Sequence, residues 1–125
     1  MSKQIVSTEK APGAVGPYSQ GIVANGFVFT SGQLPMDPAT KVLETDIKKA
    51  TAQALENVSA ILRAAGSGLE KCVKVTVFLK DMADFKAMNE VYATYFKSDC
   101  PARSCFQVGD LPLSAIVEVE AIALV

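Results

Sequence analysis

The 125-residue sequence contains no histidine and no tryptophan. Histidine is the usual base in serine, cysteine and ribonuclease-type active sites, and it is the commonest protein ligand of zinc. Its absence excludes mechanisms that need a histidine base and most zinc sites. Any chemistry must therefore use arginine, glutamate, tyrosine, serine, cysteine or backbone groups.

Cysteine is also scarce, and its three occurrences do not form a recognisable pattern. Cys72, Cys100 and Cys105 are odd in number and show no Cys-x-x-Cys spacing. The first residues, Met-Ser-Lys-Gln-Ile-Val, lack the apolar core of a secretion signal. Reduced thiols are the default for such a chain. We expect a cytoplasmic protein.

Neither sign of charge predominates, and no apolar run is long. There are 12 basic and 13 acidic residues, which give a formal net charge of −1. Proteins that bind nucleic acid normally carry a basic patch, so such a partner is not expected. Charges interrupt every apolar stretch before it reaches membrane-spanning length, so no membrane partner is expected either. The length of 125 residues is enough for one compact domain, 1–125. Because half of the residues are hydrophobic, we also expect part of the apolar surface to form a subunit interface.

The hydrophobic periodicity predicts the element order β-β-α-β-α-β, in an α/β (α+β) fold with a mixed sheet. Asn25-Gly26 is a strong hairpin signal between the first two strands, and Gly66 is a helix stop signal. The predicted elements are strands 18–23 and 27–30, helix 45–65, strand 73–79, a helix that begins near 85 and ends before Pro101, and strand 115–124.

Two helices can cover only one face of a sheet of this size. In the last strand, Ile116, Glu118, Glu120 and Ile122 alternate with the apolar residues and would lie on the uncovered face. A face that mixes carboxylates with isoleucines predicts a partner subunit. We therefore expect an oligomer with its site near the seam between chains.

Arg103 and Glu118 are the leading catalytic candidates. Arg103 stands in Pro101-Ala102-Arg103-Ser104-Cys105, and its planar guanidinium can grip a carboxylate through two hydrogen bonds. Glu118 is a carboxylate in a mostly apolar strand, which is costly unless it is used. A surface charge or a structural ion pair is the alternative for Arg103, and a solvated face is the alternative for Glu118.

Four further residues are candidates for contact with a ligand. Tyr18 either packs in an interface or in the core, or points its phenol into a pocket. Ser31 is a turn residue or a pocket residue, and Gly32 leaves room for a ligand to approach the backbone. Cys105 is interpreted as a small wall residue, since no histidine or lysine lies nearby in sequence to activate its thiol. We assign packing and interface roles to Asn89, Tyr92 and Tyr95.

Six segments together resemble the reactive intermediate/imine deaminase family (RidA/YjgF/UK114). The resemblance runs nearly end to end, with the segments in order and at the expected separations. They are Gly16-Pro17-Tyr18-Ser19-Gln20, Ser31-Gly32-Gln33, Val73-Lys74-Val75-Thr76-Val77-Phe78-Leu79, Asn89-Glu90-Val91-Tyr92, Pro101-Ala102-Arg103-Ser104 and Val117-Glu118-Val119-Glu120-Ala121-Ile122-Ala123.

The resemblance implies a chorismate-mutase-like fold, a homotrimer and clefts between neighbouring subunits. It also implies hydrolysis of 2-imino acids to 2-oxo acids and ammonia, without cofactor or metal. By this resemblance Arg103 would bind the substrate carboxylate and Glu118 would orient the attacking water. The remaining pocket contacts would come from Tyr18, Ser31 and the backbone at Cys105.

Two departures from the family pattern bear on specificity. The loop 39–41 is one residue short, and Gly109-Asp110 stand where many members carry Ala-Arg. A basic residue lost near the cleft mouth would change which imino acid is preferred.

Two other functions remain as alternatives. One is an endoribonuclease that inhibits translation, which ranks lower because histidine and a basic surface are missing. The other is a non-catalytic trimer that binds small carboxylates or acts like a chaperone, in which Glu118 would be dispensable for binding.

Overall fold

A six-stranded mixed β-sheet with two α-helices makes up the fold in the computed structural model, which describes residues 2–125. The strands are β1 (Gln4–Val6), β2 (Gly21–Ala24), β3 (Phe27–Thr30), β4 (Cys72–Leu79), β5 (Ala102–Gln107) and β6 (Val117–Leu124). The helices are α1 (Ile47–Ala64) and α2 (Phe85–Tyr95), and single 3₁₀ turns lie at Leu69–Lys71, Met82–Asp84 and Pro112–Ser114.

The strand order is β1-β2-β3-β6-β4-β5, so β1 and β5 form the two edges. β4 and β5 are parallel, whereas all other neighbouring strands are antiparallel. Two register pairs fix the site: Arg103 lies opposite Val75, and Glu118 lies opposite Phe78.

Local sequence signals account for the hairpin and for the ends of α1. Asn25 and Gly26 have φ angles of 52° and 84°, which are the values of a type I′ turn. At the start of α1, the Asp46 Oδ2 atom accepts a hydrogen bond from the Lys49 backbone N–H at 3.1 Å. The helix ends before Gly66, whose φ of 82° is left-handed. The predicted hairpin and first helix are confirmed.

The core lies between the helices and one face of the sheet. Val117, Val119, Ala121 and Ala123 of β6 are buried in it together with residues of α1 and α2. The residues between them, including Glu118, are only partly buried on the opposite face. The predicted arrangement of two helices on one face of a mixed sheet is confirmed.

Other parts of the prediction were wrong. Strands β1 and β5 were not predicted, and Tyr18 does not open a strand, because β2 begins at Gly21. The last strand begins at Val117 rather than at 115. Val73 is 38% exposed because a bulge after Cys72 shifts the register, so that Cys72 is buried in its place.

Within residues 2–125, no helix combines the length and the apolar character needed to cross a membrane. The same residues contain no cluster of three or more histidine, cysteine or acidic side chains arranged to hold a metal ion.

Candidate functional site

Arg103 lies near the start of the edge strand β5 and extends over the helix-bearing face. Its Nη1 atom donates a hydrogen bond to the Asn89 Oδ1 atom at 2.7 Å. The guanidinium carbon lies 4.6 Å from the centre of the Tyr92 ring and 5.7 Å from that of Phe85. Within residues 2–125, no carboxylate forms a salt bridge with it. The cation is therefore held by neutral groups and keeps N–H donors for an anion.

Cys105 follows Arg103 on the same face of β5 and packs against the core. Burial raises the pKa of its thiol, although the positive charge of Arg103 opposes the shift. Because the thiolate is the reactive form, a raised pKa argues against Cys105 as a nucleophile. Its interpretation as a wall residue fits this environment.

Tyr92, beneath the guanidinium, is 7% exposed. Its hydroxyl has no hydrogen-bond partner among residues 2–125. Burial raises its pKa to about 12, and the nearby Arg103 charge partly opposes the shift. The phenol thus stays neutral, and its ring provides a flat, electron-rich support for the cation.

Glu118 lies on the other face of the sheet, against Gly32. A methyl group added at Gly32 would lie 2.7 Å from the Glu118 Cδ atom, so the carboxylate occupies space that only glycine leaves free. Burial raises the pKa of Glu118, and the negative charge of Glu120 adds to the shift. A carboxyl with a raised pKa is a better proton acceptor near neutral pH than an ordinary glutamate.

Ser31 joins the Glu118 region to the loop that carries Tyr18. Its Oγ atom donates to the Ser19 carbonyl at 2.6 Å, and its backbone N–H donates to the Gln20 carbonyl at 2.8 Å. The Tyr18 side chain is half exposed. The loop position of Tyr18 therefore favours the pocket role over core packing.

Tyr18 and Gly32 both face a cavity of about 290 Å³. Two buried amides hold its walls. The Gln20 Nε2 atom donates to the carbonyls of Ala11 and Pro12, and the Asn57 Nδ2 atom donates to those of Leu34 and Met36. The lining is mostly apolar and consists of Pro12, Gly13, Ala14, Val15, Tyr18, Gly32, Gln33, Leu34, Met36, Pro38, Lys41 and Leu113.

The predicted site residues therefore form two groups in one chain. We call Arg103 and Cys105, with their α2 contacts, the arginine half-site. We call Tyr18, Ser31, Gly32 and Glu118 the glutamate half-site. From the register, Arg103 and Glu118 are two strands and three positions apart, roughly 14 Å between Cα atoms, and their side chains lie on opposite faces. A single chain does not bring the half-sites together.

Asn89 is the residue that the sequence interpretation assigned wrongly, since it contacts Arg103 rather than serving only in packing. Phe85, Asn89 and Tyr92 are spaced four and three residues apart, so they share one face of α2. An amide in the middle of an otherwise aromatic helix face was a signal for a polar partner.

Comparison with known proteins identifies the family. The sequence model of the family described as endoribonuclease L-PSP matches residues 8–125. The chain is 43% identical to the human 2-iminobutanoate/2-iminopropanoate deaminase, over 98% of this chain and 90% of the human one. The chain belongs to the RidA/YjgF/UK114 family.

Other members of this family support the same conclusion. A RutC family protein of Pyrococcus horikoshii is 52% identical, and the alignment covers 97% of both chains. The crystal structure of Escherichia coli TdcF with bound serine has a TM-score of 0.94 and 44% identity, over 98% of each chain. The family resemblance of the six sequence segments is thus confirmed.

Proposed function

We propose that the protein hydrolyses small 2-imino acids, such as 2-iminopropanoate and 2-iminobutanoate, to 2-oxo acids and ammonia. The observation that carries this proposal is a partly buried arginine with no carboxylate partner among residues 2–125, held so that its free donors can bind an anion. The human relative bears the name of this activity, and the TdcF structure contains serine, another small molecule with a carboxylate.

The two half-sites would meet across a subunit interface. Arg103 is on an edge strand, where a second chain can approach. The glutamate half-site lies on the face without helices, where Phe29, Phe106 and Leu124 are 41–46% exposed. Apolar exposure of this kind is typical of an interface. We propose a homotrimer in which Arg103 of one chain and Glu118 of a neighbour line each cleft.

In the proposed mechanism, Arg103 fixes the substrate through its carboxylate and so positions the imine carbon. Glu118 holds a water together with a backbone group at Cys105. The water oxygen attacks the imine carbon while Glu118 accepts a proton from it. Glu118 passes this proton to the nitrogen, which gives the neutral carbinolamine. The hydroxyl proton of the carbinolamine then reaches the same nitrogen through Glu118, the C–N bond breaks, and ammonia leaves with the bonding electron pair as the carbonyl forms.

The catalytic demand is modest, because such imines also hydrolyse in free water. An oriented water and one ion pair to the substrate carboxylate lower the activation free energy by several kcal/mol, which is on the order of a thousand-fold in rate. The proposal assigns no step to a cofactor or metal. We propose a cytoplasmic location, where such imines would arise and where free thiols such as those of the three cysteines stay reduced.

The proposal is tested by imine hydrolysis in a coupled assay. An amino-acid oxidase or threonine dehydratase generates the imine, and semicarbazide traps what remains. We expect the wild-type protein to suppress semicarbazone formation and Arg103→Ala to lose this ability. Arg63→Ala is the matched control, because it removes the only other arginine of the chain, which is exposed on α1. Equal activity of the two variants would refute the role of Arg103.

The description of the matching family model favours the endoribonuclease alternative. If the protein is instead a ribonuclease that works through other residues, Arg103→Ala should still cleave RNA even though its imine hydrolysis is lost. For the non-catalytic alternative, Glu118→Gln decides: the deaminase proposal expects 2-oxobutanoate binding to persist and turnover to fall.

A further inference from the structure

We propose that Asn89 is a positioning residue that orients the Arg103 guanidinium for the substrate carboxylate, and that a neutral amide is required there so that the cation stays available to the substrate. This inference deepens the proposed function and rests on it. It concerns a side chain that the mechanism above does not use.

The contacts of Arg103 define one orientation of its guanidinium. The amide oxygen of Asn89 accepts a hydrogen bond from Nη1 at 2.7 Å, while the rings of Tyr92 and Phe85 lie 4.6 and 5.7 Å from the guanidinium carbon. The rings support the cation but do not fix its rotation in its own plane. The hydrogen bond to Asn89 does fix it, and leaves the other edge of the guanidinium for two parallel bonds to a carboxylate.

All three supporting residues come from one face of α2, so the helix presents them as a unit. Both the support and the arginine are held in place, since Tyr92 is buried and the backbone of Arg103 lies in a strand paired to β4. An arginine is a long, flexible side chain, and a preoriented one loses less conformational freedom when it binds.

Charge explains why the partner is an amide. An aspartate in place of Asn89 has almost the same shape and also offers an oxygen to Nη1, so it would preserve the geometry. It would also neutralise the cation and compete with the substrate carboxylate for it. An asparagine orients Arg103 without reducing its attraction for an anion.

The test compares Asn89→Asp, Asn89→Ala and Lys86→Gln with the wild-type protein. Lys86→Gln is the control because it changes the net charge by the same amount as Asn89→Asp, at an exposed position of the same helix. Titration calorimetry with 2-oxobutanoate gives affinity, the coupled imine assay gives kcat and KM, and thermal melting gives stability.

We expect Asn89→Asp to weaken 2-oxobutanoate binding at least about ten-fold while its melting temperature stays equal or rises, since the introduced carboxylate would pair with Arg103. Asn89→Ala should raise KM several-fold with a smaller change in kcat, and Lys86→Gln should behave as wild type. A merely structural role predicts the opposite relation, in which affinity falls only as stability falls.

The outcomes separate this inference from the proposed function. If the wild-type protein binds and hydrolyses normally but Asn89→Asp matches Lys86→Gln in affinity, the positioning role is refuted and the deaminase proposal stands. If the wild-type protein shows no imine hydrolysis, the proposed function fails, and the inference fails with it.

Discussion

Gly32 and Glu118 show how one missing side chain shapes the glutamate half-site. A β-carbon at Gly32 would collide with the Glu118 carboxylate, which can rotate away because it is the far end of a flexible side chain. Gly32→Ala should therefore leave the fold intact but displace the carboxylate, and we expect turnover to fall about a hundred-fold. The coupled imine assay and circular dichroism measure the two effects.

Gly109→Ala is the matched control for this variant. A β-carbon there meets no atom within 4 Å, and its φ is not left-handed. The explanation fails if Gly32→Ala keeps full activity, or if Gly109→Ala loses as much.

The raised pKa of Glu118 also predicts how the free energy of unfolding depends on pH. Its folded pKa is raised by burial and by Glu120, so its ionised form disfavours the folded state. This penalty is absent below the ordinary value of 4.5 and is complete above the folded pKa. Glu118→Gln, which cannot ionise, should therefore gain stability relative to wild type as the pH rises.

Urea denaturation at about pH 4 and about pH 7 measures this difference. We expect the two proteins to be similar at the lower pH and the variant to be the more stable one at the higher pH. A stability difference that shrinks as the pH rises would contradict the burial of Glu118.

Residue chemistry alone made Arg103 and Glu118 candidates, because a carboxylate-binding fork and a carboxylate in an apolar strand are both visible in sequence. The partner of Arg103 was not visible in the same way. Asn89 is fourteen residues away in sequence, and only the packing of α2 against β5 brings the two within hydrogen-bond distance.

At the scale of elements, Asn57 links α1 to the cavity wall. Its buried amide donates to the carbonyls of Leu34 and Met36 at 3.0 and 2.8 Å. Asn57→Ala should orphan both carbonyls and lower the free energy of unfolding by about 2 to 4 kcal/mol. Urea denaturation measures the loss, and Lys49→Ala, at an exposed position of the same helix, is the control. Equal stability of the two variants would contradict the link.

The elements whose apolar residues recur at a regular spacing, or that carry a turn signal, were predictable from the sequence, and the others were not. Helix α1, strand β4 and the hairpin carry clear periodic or turn signals. The segment that forms β5, Ala-Arg-Ser-Cys-Phe-Gln, has no alternation of apolar and polar residues, because this edge strand is only partly buried on either face. Its pairing with β4 is a long-range contact that local patterns do not encode.

At the scale of the whole molecule, the sequence predicted one covered and one uncovered face of the sheet, which the structure confirms. It did not reveal that Arg103 and Glu118 lie on opposite faces. That separation follows from the register, which places Arg103 opposite Val75 and Glu118 opposite Phe78, an odd number of positions apart along β4 and therefore on opposite faces. The central claim is consequently that the active cleft combines the two residues from different chains.

Subunit complementation tests this claim most directly. Arg103→Ala and Glu118→Gln, each inactive alone, are mixed in equal amounts under conditions that allow subunits to exchange, and imine hydrolysis is measured. If the cleft is shared between chains, about a quarter of the clefts contain both native residues, and we expect about a quarter of the wild-type activity. If the mixture of exchanged subunits stays inactive, each site lies within one chain and the account is wrong.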